Sequence, residues 1–468
     1  TLTLGGCGQT VALGSGASQT GFGRTGTVDW VTTPKVTGDS PITAVTGKGY
    51  FLNTTAGTIT INLPAGAAGS IVSMADYART WQDNNVTVVA NGAEKIGGLT
   101  DDATLSTEGQ SVTLVYIDST QGWLSVQDST SNVRANIFVV ATGGTPCTGT
   151  VCGDYKTHTF TGPGSLCVSN AGLPSGSTTI DYMVVGGGGG GGRDDFGTGS
   201  TRRNGSGGGA GGFRVSNGYS LPAPLTSPLA TPTAITASVT SYPIDVGGGG
   251  VGGVSCCSTA TLQPGGKGLN SVFSTITSTG GGGGFGHASA LGHGPDAELV
   301  ARTNGGSGGG RSYCATNPVG PVGKGDEPPT SPAQGFPGGS LGLHPVAPYG
   351  FGGGGGGGAA AVGADGGYLP TEGNGGSGSY ISPVFIGPNA PTYGTPGPVA
   401  SRYFAGGGAA GCQGGKTGGD GGGGDGGTGC GGAGCAGTVN TGGGGGGARK
   451  GTTGTGGSGI VIIRYKFQ

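Results

Sequence analysis

Few residues in this chain have the types and spacing that chemistry needs. Ala410-Gly-Cys-Gln-Gly-Gly-Lys416-Thr417 meets the loose form of a phosphate-binding loop, in which backbone N–H groups and a lysine cradle phosphates. Such a loop needs a buried strand before it and a helix N-terminus after it. Here Gly406 to Gly408 precede and Gly418-Gly-Asp-Gly421 follows, so the context argues against it. Asp420-Gly-Gly-Gly-Gly-Asp425 loosely matches a calcium-binding nonapeptide repeat, but lacks the large apolar residue each such repeat needs for its core. The ten cysteines are Cys7, Cys147, Cys152, Cys167, Cys256, Cys257, Cys314, Cys412, Cys430 and Cys435. Cys147 with Cys152, and Cys430 with Cys435, could close small disulfide loops in an oxidising setting. None of His158, His287, His293 and His344 clusters with cysteines at zinc-site spacing. There is no His-Glu-x-x-His and no cysteine beside a histidine. The expectation is a protein without catalytic, metal or cofactor chemistry.

The elements that must position any site are unusual. The chain has 468 residues, of which 120 are glycine, with 33% hydrophobic and 9% charged residues. Glycine buries no side chain, and high Gly and Pro without a strict triplet period normally signal disorder. The low charge opposes that reading, because disordered tracts are usually charge-rich. A net charge of −2 supplies no basic field for nucleic acid or anionic lipid. The longest apolar runs, such as Ile137-Phe-Val-Val-Ala141, fall well short of the roughly 20 residues that cross a bilayer as a helix. The chain opens at Thr1 with no visible signal peptide, which reads as a processed start or a piece of a longer product.

Residues 1–27 read as a Gly/Ser/Thr-rich connector and 28–131 as a β-sandwich or barrel. Two-residue alternation marks strands at Gly49–Leu52, Thr58–Leu63, Ser70–Ala75, Val86–Val89, Val112–Ile117 and Trp123–Val126. Residues 132–185 continue in strands at Ile137–Val140, Tyr155–Phe160 and Thr178–Val185. From Gly186 a pattern recurs: a short apolar approach, a glycine run, then a polar or Pro-rich excursion. The approaches precede Gly186, Gly247, Gly280, Gly352, Gly406 and Gly442, and Ile460–Phe467 closes the chain as a strand over 460–468.

Side-chain burial cannot offset the ordering of so much glycine, at roughly 1–2 kcal/mol per residue. Lateral backbone hydrogen bonds, roughly 0.5–1.5 kcal/mol each, remain as the source of stability. The conformation that offers all its N–H and C=O groups laterally is the left-handed threefold helix of polyproline II type; a run of seven spans about 22 Å. Residues 186–459 are therefore expected to form a bundle of polyglycine II helices with projecting loops, and the whole chain to be all-β plus this bundle, with essentially no α-helix. Loops on a rigid scaffold usually carry binding. The excursions Arg193–Asn204, Phe285–Asn304, Arg311–Gln334 and Pro388–Arg402 offer His287, His293, Arg302, Tyr313, Tyr393 and Arg402 as candidate receptor-binding residues. For any one of them, covering a helix end is the simpler role.

Thr25-Gly-Thr-Val-Asp-Trp30, Gly49-Tyr-Phe-Leu-Asn-Thr-Thr55, Gln110–Tyr116 with Gln121-Gly-Trp123, Asp181-Tyr-Met-Val-Val-Gly-Gly and Gly457-Ser-Gly-Ile-Val-Ile-Ile-Arg-Tyr465 resemble glycine-rich tail-fibre and receptor-binding proteins of tailed bacteriophages, marine or cyanophage ones especially. The resemblance implies a virion appendage that binds a bacterial surface glycan or outer-membrane protein and contacts other tail or fibre proteins. It also implies a homo-oligomer, by default a trimer. In the distal adhesins of T-even-like phages, polyglycine helices carry receptor-binding loops at their ends; here the tracts are more interrupted and no loop matches. The alternatives are a purely architectural virion part and a depolymerising spike.

Overall fold

The computed structural model describes residues 28–129, 137–194, 204–222, 225–254, 264–286, 296–312, 322–342, 352–367, 373–397, 401–411, 415–429 and 431–468. The chain divides into two compact units, Thr1–Ala135 and Asn136–Gln468. It is nearly all β, with short α-helices at Asp296–Thr303 and Pro383–Ile386.

In the first unit successive strands alternate between two sheets. Asp29–Val36, Lys48–Asn53 and Ile71–Asp76 pair in parallel in one sheet, continued by Ser111–Asp118 and Gly122–Ser129. Ile42–Thr43, Ile59–Asn62 and Val86–Val89 pair in parallel in the other, closed by Ala103–Leu105. The path is a coil, each turn contributing one strand to each sheet. Two-residue alternation drives it: Ile59 and Ile61, Val72 and Met74, and Val86 and Val88 all point into one core around Trp81 and Trp123. The buried Asp76 carboxylate accepts N–H bonds from Thr80, Trp81 and Gly109, and so fixes the loop that delivers Trp81.

The second unit is built on a sheet in the order Thr150–Cys152, Tyr155–Phe160, Ile460–Lys466, Thr179–Val185, Phe213–Ser216 and Ala230–Thr231. Its two central strands are largely apolar because both faces are covered, with Asp181 and Arg464 as buried charged exceptions. Ile180, Tyr182, Val184, Val461, Ile463 and Tyr465 enter a core shared with a second sheet, which includes Gly164–Ala171 and Ser241–Asp245. Met183, Val185, Ile460 and Ile462 enter another, with Phe385 and Phe404.

Glycine segments leave this base at one edge. Residues 186–192 follow Val185, 204–212 lead into Phe213, and 452–459 lead into Ile460. Within 186–192 no residue bonds to another of the same segment, and every third residue addresses the same neighbour. The N–H groups of Gly186, Gly189 and Gly192 go to Gly212, Gly209 and Ser206; those of Gly187 and Gly190 to Leu269 and Gly266; those of Gly188 and Gly191 to Gly457 and Gly454. Its carbonyls receive Gly281 and Gly284, Gly250 and Gly253, and Gly445 and Ala448. The segment thus has six hydrogen-bonded neighbours, three antiparallel and three parallel. This is the bonding that packed threefold extended helices make. Segments 204–212, 352–358, 405–411 and 442–448 are likewise bonded on six sides. A side chain has no room along 186–192: a Cβ on Gly188, Gly189 or Gly190 would lie 2.0, 2.1 or 2.0 Å from a carbonyl oxygen of a neighbouring segment.

Peripheral segments follow a triplet rule instead. In 361–367 Gly363 and Gly366 are buried while Val362 and Asp365 are exposed; in 452–458 Gly454 and Gly457 are buried while Thr452 and Thr455 are exposed. The inward position must be glycine and the outward one is free.

Candidate binding surface at the ends of the glycine array

Most successive segments run alternately away from and back towards the strands, 279–285 and 304–312 both running away, so their described ends fall into two groups. Arg402 and Tyr393 belong to the strand end. Arg402 opens the strand Arg402–Phe404, which pairs with Ser379–Ile381 and Thr395–Pro396. Its Nε donates to the Tyr393 carbonyl at 2.7 Å, and one terminal nitrogen to the Gly394 and Pro391 carbonyls at 2.6 and 3.2 Å. With those bonds made, the guanidinium clips its own loop together. Arg302 lies elsewhere, exposed on the helix Asp296–Thr303, with its carbonyl receiving the Gly283 N–H halfway along segment 279–285. His287, His293 and Tyr313 lie outside the described residues. The described candidates therefore do not converge: Tyr393 and Arg402 meet, and Arg302 stands apart.

The end away from the strands holds residues that composition did not single out. Arg193–Asp194 pairs in parallel with Ala448–Arg449, and Lys450 N–H bonds to the Asp194 carbonyl at 3.0 Å. Register pairs Asp194 with Arg449, and both residues are buried, as are Arg311 and Lys416. The Arg193 guanidinium donates to the Lys450 carbonyl at 3.1 Å and Ser312 Oγ to the Asn204 carbonyl at 2.7 Å. The available signal was the abrupt Gly-to-Arg or Gly-to-Lys step at Arg193, Arg311 and Lys416.

The phosphate-loop pattern is dismantled by the same geometry. Lys416 is buried in the array, Thr417 N–H is held by Asn374 Oδ1 at 3.1 Å, and Gly418 N–H by Asp425 Oδ1 at 2.8 Å. Asp425 thereby caps backbone. Among the described residues no three His, Cys, Asp or Glu side chains gather as metal ligands, and no helix is long and apolar enough to cross a membrane. Cys147, Cys152, Cys167 and Cys435 are free thiols, so the 147–152 loop is not closed by a disulfide.

The buried titratable groups of the base are structural. His158 is fully buried, its Nδ1 2.7 Å from the Gly143 carbonyl and its Nε2 3.0 Å from Tyr465 Oη. Burial pulls the imidazole below its ordinary value, so it is neutral, and pushes the Tyr465 phenol up to about 12. Arg464 lies 3.6 Å over the Tyr155 ring, with Phe385 and Tyr219 farther off, and burial lowers its pKa.

Residues 161–466 match the family described as "Glycine-rich domain". This chain belongs to that family. A stretch of 78 residues, 16% of this chain, is 35% identical to the baseplate wedge protein gp10 of Enterobacteria phage T4. The match spans 13% of that protein's length. It supports a phage structural role.

Proposed function

We propose that the protein is a non-catalytic adhesin of an external tail appendage, which attaches the particle to a bacterial surface glycan or outer-membrane protein. The observation that carries this reading is the alternation of the glycine segments. It leaves Asp194, Asn204, Gly286 and Ser312 at the end opposite the strands, on a rim of buried charge. Recognition there is by non-covalent contacts, and the array supplies rigidity, so little ordering cost is left for binding. Association with other virion proteins and with further copies of the chain belongs to the same reading. Purified protein added to host cells is expected to bind them and to compete with infection; absence of both effects overturns the proposal.

A second reading is favoured by the likeness to a baseplate wedge protein: an architectural part held by other virion proteins. Labelling on intact particles separates the two. Signal at a free distal tip supports the adhesin, and signal buried at the baseplate supports the architectural part.

A further inference from the structure

The perimeter of the array is not uniform. Some outward N–H groups are capped by side chains of the chain itself. Asn270 Oδ1 takes the Gly280 N–H at 2.9 Å, Asp365 Oδ1 that of Ser340 at 2.7 Å, Asn374 Oδ1 that of Thr417 at 3.1 Å and Asp425 Oδ1 that of Gly418 at 2.8 Å. Those edges also carry exposed charge, at Lys267, Lys324, Asp365 and Asp420.

One flank differs in carrying no charge. It consists of segments 247–254, 452–459 and 432–438, joined side by side by Gly456 N–H to Gly250, Gly459 to Gly247, Gly434 to Thr452 and Gly437 to Thr455. The outward N–H groups recur with the three-residue period, at Gly249 and Gly252, Thr452 and Thr455, and Ala433 and Ala436, and none has a partner among the described residues. The exposed side chains beside them are uncharged: Val251 is 69% exposed, Val254 65% and Val439 68%, with Thr455, Ala433 and Ala436 between. Exposed charge appears only around the border, at Asp245, Asp425, Lys267 and Lys450. An uncapped, charge-free edge with a charged border is the reverse of how exposed edges are protected, and is the layout of an interface with a polar rim.

We propose that this flank binds a second copy of this chain, flank to flank about a twofold axis. A neutral surface meets its own copy without like-charge repulsion, whereas the edges bearing Asp365 and Asp420 or Lys267 and Lys324 cannot. The lattice also accepts the geometry: segment 186–192 bonds antiparallel to 206–212 and parallel to 445–448 with equal ease. A twofold-related row therefore continues the same hydrogen bonding, and the contact is isologous. The inference specifies the self-association part of the proposed function, as a twofold pair in place of the threefold default, and does not depend on host attachment.

The test is the solution mass of the full-length protein across a dilution series. Twice the chain mass is expected, falling to one chain in the double variant Val251→Asp, Ala436→Asp. Val362→Asp, on a different edge, should leave the pair intact. Both positions of the double variant face solvent, and its melting curve reports whether it has folded. Amide exchange of the wild type gives a second readout: residues 249–252 and 433–436 should be slowed at high protein concentration and released on dilution. A wild-type mass of one chain or of three, a pair that survives in the folded double variant, or concentration-independent exchange overturns the proposal. None of these measurements uses host cells, so failure of attachment and failure of pairing are read separately.

Discussion

A single added methyl group tests the packing of the array. At Gly189 a Cβ would sit 2.1 Å from the Gly282 carbonyl oxygen, and backbone on every side prevents relief. Gly189→Ala is expected to destabilise the second unit by about 3 kcal/mol or more, at the upper end of overpacking costs. At Gly248 the nearest atom is the end of the Leu269 side chain at 4.0 Å. Gly248→Ala should stay within ~0.5 kcal/mol of the parent. Thermal melts of the two variants side by side check this. Equal effects would mean that 186–192 is held as loosely as the perimeter. The same reasoning recasts Arg402, whose three carbonyl acceptors make it a clip within its own loop, so its charge is a poor guide to binding.

Among elements, the weakest junction to acid is where Tyr155–Phe160 and Ile460–Lys466 meet the second sheet through His158 and Tyr465. Tyr465 Oη donates to the Ala141 carbonyl at 3.2 Å and lies 3.0 Å from the imidazole. The imidazole is neutral when folded, with its pKa lowered by burial, so the unfolded chain binds the proton more tightly. This contribution is complete above the ordinary histidine value of 6.5. It is lost as pH falls below that value, by at most about 1.4 kcal/mol per pH unit, until the folded imidazole also titrates. His158→Gln should flatten that limb of the stability curve in denaturant titrations at several pH values; an unchanged slope would remove His158 as its source. The strands involved were legible. Thr58–Leu63 alternates and Ile460–Lys466 runs apolar because one has a single buried face and the other two. Gly164–Ala171 was missed, since Ser165, Cys167 and Ser169 point outward between Leu166 and Val168. The triplet rule was missed too. In 361–367 and 452–458 it is carried only by which glycines are buried, and a core segment such as 186–192, all glycine, hides it. The rim at Asp194, Arg311, Lys416 and Arg449 was signalled only by the steps out of glycine at Arg193, Arg311 and Lys416, because burial of charge depends on partners far apart in sequence.

For the whole molecule, the source of stability changes between the two units. The first is a conventional apolar core enclosed by two sheets. In the second, apolar cores flank the sheet of the base, and the array above it is held by backbone bonds among segments with almost no side chains to bury. Unfolding such an array exposes chiefly peptide groups. Polar exposure lowers the heat capacity change, at about −0.26 cal/mol/K per Å², while apolar exposure raises it, at about +0.45. The full chain should therefore unfold with a heat capacity change per residue clearly below the ~12–15 cal/mol/K of ordinary globular proteins. Its stability should also vary less steeply with cooling, because the fading of hydrophobic stabilisation at low temperature removes less from a backbone-bonded body. Scanning calorimetry of the full-length protein at several pH values gives the slope directly. An ordinary value per residue would show that buried apolar surface carries the array after all. A low value would locate its stability in the lateral hydrogen bonds that begin at Gly186.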